Sequence, residues 1–321
     1  MRTFVTGGTG FVGGHLVRKL RERGDDVVAL VRSPSKATQV RELGCEIVEG
    51  DLSDEEAIRK AVVGCDAVFH VAAVYEVGIP ASEQPAMYDA NVKGTERVID
   101  AGVDAGVGKI VYVSTIGVFG DTHGEIVDET YRREPTDFMS YYEETKYFAH
   151  ELALDRIRKG APIVIVQPGG IYGPGDPSIL GIMMKLIEKG WMRFNLMPNA
   201  GFNWVFVEDV ADGIILAHDK GRIGESYVLG GQIENLKTAI GKISRLAGRR
   251  PPRVTVPDAA LKMGIPFGPI VSRLTGLPSN MREMLRNVGA TFYATDAKAR
   301  QELDYSPRDL DTGLTQTLAA R

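Results

Sequence analysis

The stretch Thr6-Gly7-Gly8-Thr9-Gly10-Phe11-Val12-Gly13 constrains this chain more than any other. It places four glycines among eight residues, between the strand-like pair Phe4-Val5 and a helical pattern from Val12 to Arg23. Glycine permits a tight strand-to-helix turn and lets a second group approach the backbone closely. The N-terminus of the helix that follows offers N–H groups without intrahelical partners and a partial positive charge, a combination that suits a pyrophosphate. Two spacings overlay the turn, Gly8-x-Gly10-x-x-Gly13 and Gly7-x-x-Gly10-x-x-Gly13. Both acquire meaning from their place between a strand and a helix at the head of a βαβ series.

That series is visible downstream. Apolar runs at Val27–Val31, Glu46–Val48, Ala67–Val71, Lys109–Val113 and Pro162–Val166 alternate with helical patterns at Glu55–Val63, Ser82–Ala105 and Ser140–Lys159. Continuous apolar runs suit strands covered on both faces, so the spacing predicts an α/β fold with a doubly wound parallel Rossmann sheet. Glycine and proline then cluster from Pro168 to Pro177. A helix (Ser178–Lys189), a strand (Trp204–Val207), a helix (Asp209–Lys220), a strand (Ser226–Leu229) and a mainly helical tail follow. The expected organisation is a nucleotide-binding domain over 1–170, its sheet completed by 202–230. A smaller, mainly helical C-terminal substrate-binding domain takes 171–321, chiefly 171–201 and 231–321.

Charge narrows the partners. Lys and Arg total 38 against 42 Asp and Glu, a net of −4, which argues against nucleic acid. No run approaches the ~18 apolar residues of a membrane span. Leu261–Leu277 is interrupted by Lys262, Arg273 and two prolines, and reads as a surface segment or a lid. Two cysteines, Cys45 and Cys65, make no disulfide framework, which fits a reducing, cytoplasmic compartment. Five histidines show no paired metal spacing, so no metal site is expected, and His70 reads as a hydrogen-bonded core residue.

Cofactor choice turns on the end of the second strand. An acid that holds a ribose 2′-hydroxyl is expected there, ~20 residues beyond the glycines. Val31 stands in its place, and Arg32, Ser33 and Lys36 follow. A guanidinium and an ammonium suit a 2′-phosphate, so NADP(H) is expected over NAD(H). Asp51, with Leu52 just after the third strand, either frames the adenine or caps a helix.

Tyr142 and Lys146 stand four apart near the start of a helix and share one face. A phenol has a pKa near ~10, and lowering it by ~3 units takes roughly 4 kcal/mol. One ammonium at ~4 Å supplies about that much at an effective dielectric of ~20. The pair is therefore a candidate general acid/base.

Six ordered motifs now stand together. They are the glycine turn, Asp51-Leu52 with His70-Val71-Ala72-Ala73, Asn91-Val92-Lys93-Gly94-Thr95, Val113-Ser114-Thr115-x-x-Val118-Phe119-Gly120, Tyr142-x-x-x-Lys146 and Ile171-Tyr172-Gly173-Pro174-Gly175. Over nearly its whole length the chain resembles the extended short-chain dehydrogenase/reductase family, also called the NAD-dependent epimerase/dehydratase family. The resemblance implies a catalytic set of Thr115, Tyr142 and Lys146. Thr115 would hydrogen-bond the substrate oxygen, Tyr142 would pass the proton, and Lys146 would hold the nicotinamide ribose. It implies cofactor contacts from Gly7, Gly10, Phe11, Val12, Gly13, Val71, Ala72, Ala73 and Ser114, and a nicotinamide wall from Pro168, Gly169, Gly170 and Ile171. It also implies a homodimer built on the two long helices.

Members acting on nucleotide-linked sugars usually carry Asn where this chain has Gly170, and Arg where it has Phe202. In pattern the chain is more similar to the dihydroflavonol-reductase and aldehyde-reductase branch. Met183, Met184, Trp191, Met192, Phe194, Met197, Phe202 and Trp204 either wall an apolar ligand or form an interdomain core. Lys185 and Lys189 read as the solvated edge of a helix whose apolar side holds Ile182, Met183 and Leu186. The expected activity is NADP(H)-dependent reduction of a small, largely apolar carbonyl, or oxidation of the matching alcohol. A nucleotide-sugar epimerase or dehydratase is the alternative, and an NADP-sensing regulatory protein the third.

Overall fold

A computed structural model describes residues 1–263 and 286–320, with the side chains of Lys36 and Lys262 outside the described set. Most of Leu261–Leu277 also lies outside the described residues. The first half runs β1 (Arg2–Thr6), α1 (Phe11–Glu22), β2 (Asp26–Val31), α2 (Thr38–Glu42), β3 (Glu46–Glu49), α3 (Glu55–Val62) and β4 (Ala67–His70). It continues with α4 (Gln84–Tyr88), α5 (Gly94–Asp104), β5 (Lys109–Val113), α6 (Tyr141–Arg158) and β6 (Ile163–Pro168). The second half runs β7 (Gly170–Tyr172), α7 (Ile179–Glu188), β8 (Phe194–Asn195), β9 (Gly201–Phe206), α8 (Val207–Asp219), β10 (Ser226–Leu229) and β11 (Gln232–Asn235). It closes with α9 (Leu236–Leu246), β12 (Val254–Thr255), α10 (Asp258–Met263), β13 (Thr291–Phe292), α11 (Ala297–Leu303) and α12 (Leu310–Ala319).

Seven strands form one parallel sheet in the order β10-β6-β5-β4-β1-β2-β3. Alternate residues of each strand feed opposite cores, as the two-residue side-chain period requires. Val5, Ala29, Phe69, Val111 and Val164 meet Leu16, Val17 and Leu20 of α1, Ile214 of α8 and Leu303 of α11. Phe4, Val28, Val68, Ile110 and Ile163 meet Ile58 of α3, Ile99 of α5 and Ala153 of α6 on the other face. Each buried Leu, Ile, Val or Phe contributes roughly 1.5–3 kcal/mol. Two faces covered by helices make this the doubly wound Rossmann fold, and the order reverses at β1/β4.

Of the two strands expected in 202–230, β10 pairs with β6 in this sheet. β9 does not: it is the centre of a second, four-stranded sheet with β11, β13 and β7. The remainder of the C-terminal half, expected to be mainly helical, is therefore a mixed region, with β12-β8 as a further pair. Short strands such as Thr291–Phe292 escape a reading based on periodicity, because two residues carry no period. The helix expected over Ser82–Ala105 is continuous but not uniform, since a π turn at Asp89–Lys93 separates α4 from α5.

Candidate active site

The glycine turn closes as its spacing requires. Gly7 has φ +78°, and a Cβ there would lie 2.8 Å from the Ala72 nitrogen. A Cβ on Gly13 would collide with the Gly7 carbonyl, and the Gly10 nitrogen donates to that carbonyl at 2.8 Å. Gly10 is the N-cap of α1 with no side-chain cap and no acid in the first turn. Phe11 and Val12 open the helix half-buried. The turn is thus pressed against Val71-Ala72 after β4, and Ala72 N–H donates to the Thr6 hydroxyl at 3.2 Å. Ala73, next in line, is exposed. On the far side, a Cβ on Gly173 would lie 3.6 Å from the Phe11 ring. A helix N-terminus whose N–H groups no side chain covers, in a cradle that side chains would fill, fits a dinucleotide pyrophosphate.

At the tip of β2, Arg32 is exposed and its charge helps hold Asp51 below the usual carboxylate range. The larger causes of that shift are hydrogen bonds from the Ser53 hydroxyl (2.6 Å) and Ser53 N–H (2.8 Å). Asp51 therefore caps no helix; Asp54 is the N-cap of α3, accepting from Ala57 N–H at 3.0 Å. Leu52 packs on α5, where a Cβ on Gly94 would lie 2.7 Å away, and its carbonyl accepts from Arg97.

Thr115 and Ser114 follow β5 and part company. The Thr115 hydroxyl caps the turn Ile116–Phe119, accepting from Gly117 N–H at 3.1 Å, whereas the Ser114 hydroxyl pairs with His150 Nδ1 at 3.0 Å. Helix α6 starts on the N-cap Ser140, which accepts from Glu143 N–H at 3.1 Å. Glu143 is buried, forms an ion pair with buried Arg133, and accepts from Met139 N–H at 3.2 Å. This anchor fixes the first turn of α6, where Tyr142 lies.

Lys146 is buried and its Nζ donates to the Val113 carbonyl (3.0 Å) and the Tyr112 hydroxyl (3.3 Å). Burial pushes its ammonium down to about 7. The Tyr142 ring meets Tyr75 edge-on at 4.8 Å, and burial raises its phenol above the ordinary value. The expected lysine-to-phenol stabilisation is thus not what the described residues show. A desolvated ammonium takes the strand-end carbonyl within its reach, and the neighbouring Tyr75 and Tyr112 disfavour a phenolate.

Three further groups support the site, of which Tyr112 and Gln167 have no role in the sequence analysis and Asn91 stands there only as part of a motif. Tyr112 joins Lys146 to a buried chain in which His70 bridges the Thr6 hydroxyl (2.7 Å) and the Thr95 hydroxyl (3.0 Å). Desolvation lowers His70 to about 3, so it is neutral, a core residue as expected. Asn91, in the π turn, holds Val74 through both its N–H and carbonyl and donates to Thr145 of α6 at 3.0 Å. Gln167, one residue before Pro168, buries both side-chain polar atoms without a hydrogen-bond partner. Gln167 was the readable signal, a polar amide ending an otherwise apolar run, and Asn91 already stands in the motif Asn91–Thr95.

Gly169 and Gly170 run beneath β9. A Cβ on Gly169 would collide with the Asn203 carbonyl, and one on Gly170 would lie 3.4 Å from Phe202 Cβ. Ile171, half-buried, pairs with Val205 in the same sheet. Phe202 stacks on Phe292 at 5.7 Å and meets Trp204 edge-on at 6.3 Å. The apolar residues singled out in this half divide. Met183, Met184 and Trp204 are core, Met192, Met197 and Phe202 are half-buried, and Trp191 and Phe194 are exposed. Among the described residues no cluster of His, Cys, Asp and Glu could hold a metal, and no helix is long and apolar enough to cross a membrane.

A doubly wound parallel sheet with a glycine cradle at its C-terminal edge defines a class, the dinucleotide-dependent enzymes of Rossmann fold. Residues 3–230 match the family described as NAD dependent epimerase/dehydratase, and the chain belongs to it. It is an extended short-chain dehydrogenase/reductase, an NAD(P)-dependent oxidoreductase acting on a small molecule. It is 34% identical over 314 residues to a putative dihydroflavonol 4-reductase of Synechocystis sp., covering 94% of this chain and 88% of that one. It is 32% identical to a 4-hydroxy-2-methyl-3-oxo-4-farnesyl-3,4-dihydroquinoline-1-oxide ketoreductase of Stigmatella aurantiaca, covering 96% and 92%. The crystal structure of gox2253 superposes with a TM-score of 0.86 at 35% identity, covering 99% of this chain and 97% of that one.

Proposed function

We propose that this enzyme transfers a hydride between NADP(H) and a small, largely apolar carbonyl or alcohol. The observation that carries the reading is the apolar floor at Gly170 and Phe202. Phe202 is engaged with Phe292 and Trp204, where a nucleotide-sugar enzyme would need cations or amides for a diphosphate. The names of the relatives, a dihydroflavonol reductase and a ketoreductase of a farnesylated ring, support it.

On this reading residues 1–170 together with β10 hold the cofactor, and β7, α7 and the strands around β9 hold the substrate. The bound nicotinamide supplies the hydride to the carbonyl carbon. Thr115 donates a hydrogen bond to the carbonyl oxygen, and Tyr142 delivers the proton that completes the alcohol. Lys146, whose Nζ holds the Val113 carbonyl and the Tyr112 hydroxyl, faces the nicotinamide ribose, while Gly7, Gly10 and Gly13 admit the pyrophosphate. Arg32 takes the 2′-phosphate with Asp51 near it, and Lys36 follows four residues on in sequence as a second cation for the same group. Ser114, Pro168, Gly169, Gly170 and Ile171 border the nicotinamide. Free thiols at Cys45 and Cys65 support a reducing compartment.

The test is calorimetry with UDP-glucose on NADP-loaded protein, beside a panel of aryl and alkyl ketones followed by NADPH oxidation. UDP-glucose should bind no better than millimolar while apolar carbonyls turn over. Micromolar binding would reassign the enzyme to nucleotide-sugar epimerisation or dehydration.

A further inference from the structure

Helix α7 is apolar on both sides. Its inner side, Met183, Met184 and Ile187, is core, but Ile179, Ile182 and Leu186 are exposed at 56%, 48% and 38%. At ~100° per residue these three share an arc of about 120° with Lys185 and Lys189. The lysines thus border the exposed apolar stripe, where sequence reading placed Ile182 and Leu186 on the inner side. The stripe continues past the helix end into Trp191 (66% exposed) and Phe194 (50%). Trp191 N–H donates to the Leu186 carbonyl, and Lys189 lies over the indole at 5.0 Å.

Neighbouring elements extend the same composition. Arg249 donates to the Glu188 carbonyl at 2.8 Å, which brings the end of α9 beside the end of α7. β12 pairs with β8, setting exposed Val254 opposite Phe194, with Arg250 and Arg253 exposed just before it. Exposed Lys185, Lys189, Arg193, Arg249, Arg250 and Arg253 lie on these elements and the turns that join them, in a chain whose net charge is −4. The cationic surplus is therefore concentrated where large apolar side chains face water.

We propose that this face docks on a lipid bilayer bearing anionic headgroups, with α7 lying in the interfacial plane. Basic residues flanking exposed Ile, Leu, Trp and Phe match what an interfacial helix needs: apolar groups to enter the acyl boundary and cations to meet the headgroups. A second copy of the chain would bring an equally cationic face against this one. A nucleic acid would leave the apolar stripe uncovered.

The chain carries its own reporter. It has two tryptophans; Trp204 is 1% exposed, so Trp191 alone responds to the surface. The full chain is mixed with phosphatidylcholine vesicles, with and without about a third phosphatidylserine, and followed by co-sedimentation and tryptophan emission. Expected are serine-lipid-dependent binding, a blue shift of Trp191, and loss of both in high salt. The double variant Lys185→Glu/Lys189→Glu should bind roughly thirtyfold or more weaker, taking about fivefold per removed cation. Ile182→Glu should abolish the blue shift, with thermal melting of both variants confirming the fold. Equal binding to phosphatidylcholine alone, no binding at all, or indifference to the charge reversal overturns the proposal. So does a lipid-free oligomer that Ile182→Glu dissociates, which would give the face to a second copy.

Discussion

Lys146→Met should change the pH dependence of folding in a way that reads the environment of the lysine directly. In the folded chain burial holds the ammonium down to about 7, against 10.5 when it is solvated. Between those values the unfolded chain keeps a proton that the folded chain has released, so wild-type stability rises with pH. The full cost of burying the charge is present below about pH 7 and is gone above the unfolded value. Each pH unit well inside the window contributes about 1.4 kcal/mol and half that at pH 7, where the folded lysine is half charged, so from pH 7 to pH 9 the wild type should gain about 2 kcal/mol on the variant. Methionine also deletes the hydrogen bonds to the Val113 carbonyl and the Tyr112 hydroxyl, an offset that does not vary across this range. The assay is urea unfolding of both proteins, free of cofactor, at four pH values from 6 to 9. Parallel stability curves would show that Lys146 stays charged when folded, and the assigned desolvation would be wrong.

Arg32→Asp should invert cofactor preference by repelling a 2′-phosphate, read by fluorescence titration with NADPH and NADH; equal affinities in the wild type would refute the role given to Arg32. Tyr142→Phe keeps the ring and removes the proton, so kcat should fall ~10²-fold or more with NADPH binding retained. Glu143→Ala takes the carboxylate from the Arg133 side chain, which keeps its bonds to the Glu134 and Asp137 carbonyls, and should cost about 3 kcal/mol in urea unfolding. The exposed Val103 of α5 and Phe148 of α6 lie on the helices expected to pair in a homodimer, and sedimentation at rising concentration should show a species of twice the chain mass.

The sheet was legible because strands such as β2 and β6 carry nearly unbroken apolar runs, and the turn because Gly7 and Gly13 stand where a Cβ would collide. The π turn at Asn91 was not, since a shift from i+4 to i+5 hydrogen bonding leaves the 82–105 pattern helical. β9 read correctly as a strand, but not as a member of the second sheet, because its alternation says nothing about which neighbour it pairs with. In the site, Tyr142 and Lys146 could be placed on one helix face from spacing alone. The choice of Lys146 between the phenol and a strand-end carbonyl depends on β5, more than thirty residues away, so no local pattern records it. Ile182 and Leu186 show a further limit: the apolar arc of α7 covers more than half of its circumference, so the pattern does not say which part of that arc faces in.

The position of β10 bears on how the chain can be divided and made. This edge strand arrives only after β7, α7, β9 and α8 have been laid down elsewhere. A fragment ending near residue 170 would lack both β10 and α8. It would leave every residue of β6, all buried in the complete chain, with an open edge and one bare face. Such an edge invites pairing with another chain. A chain that ends near residue 170 should therefore unfold or aggregate under conditions where the full chain stays folded, because β10 and α8 complete the packing of β6.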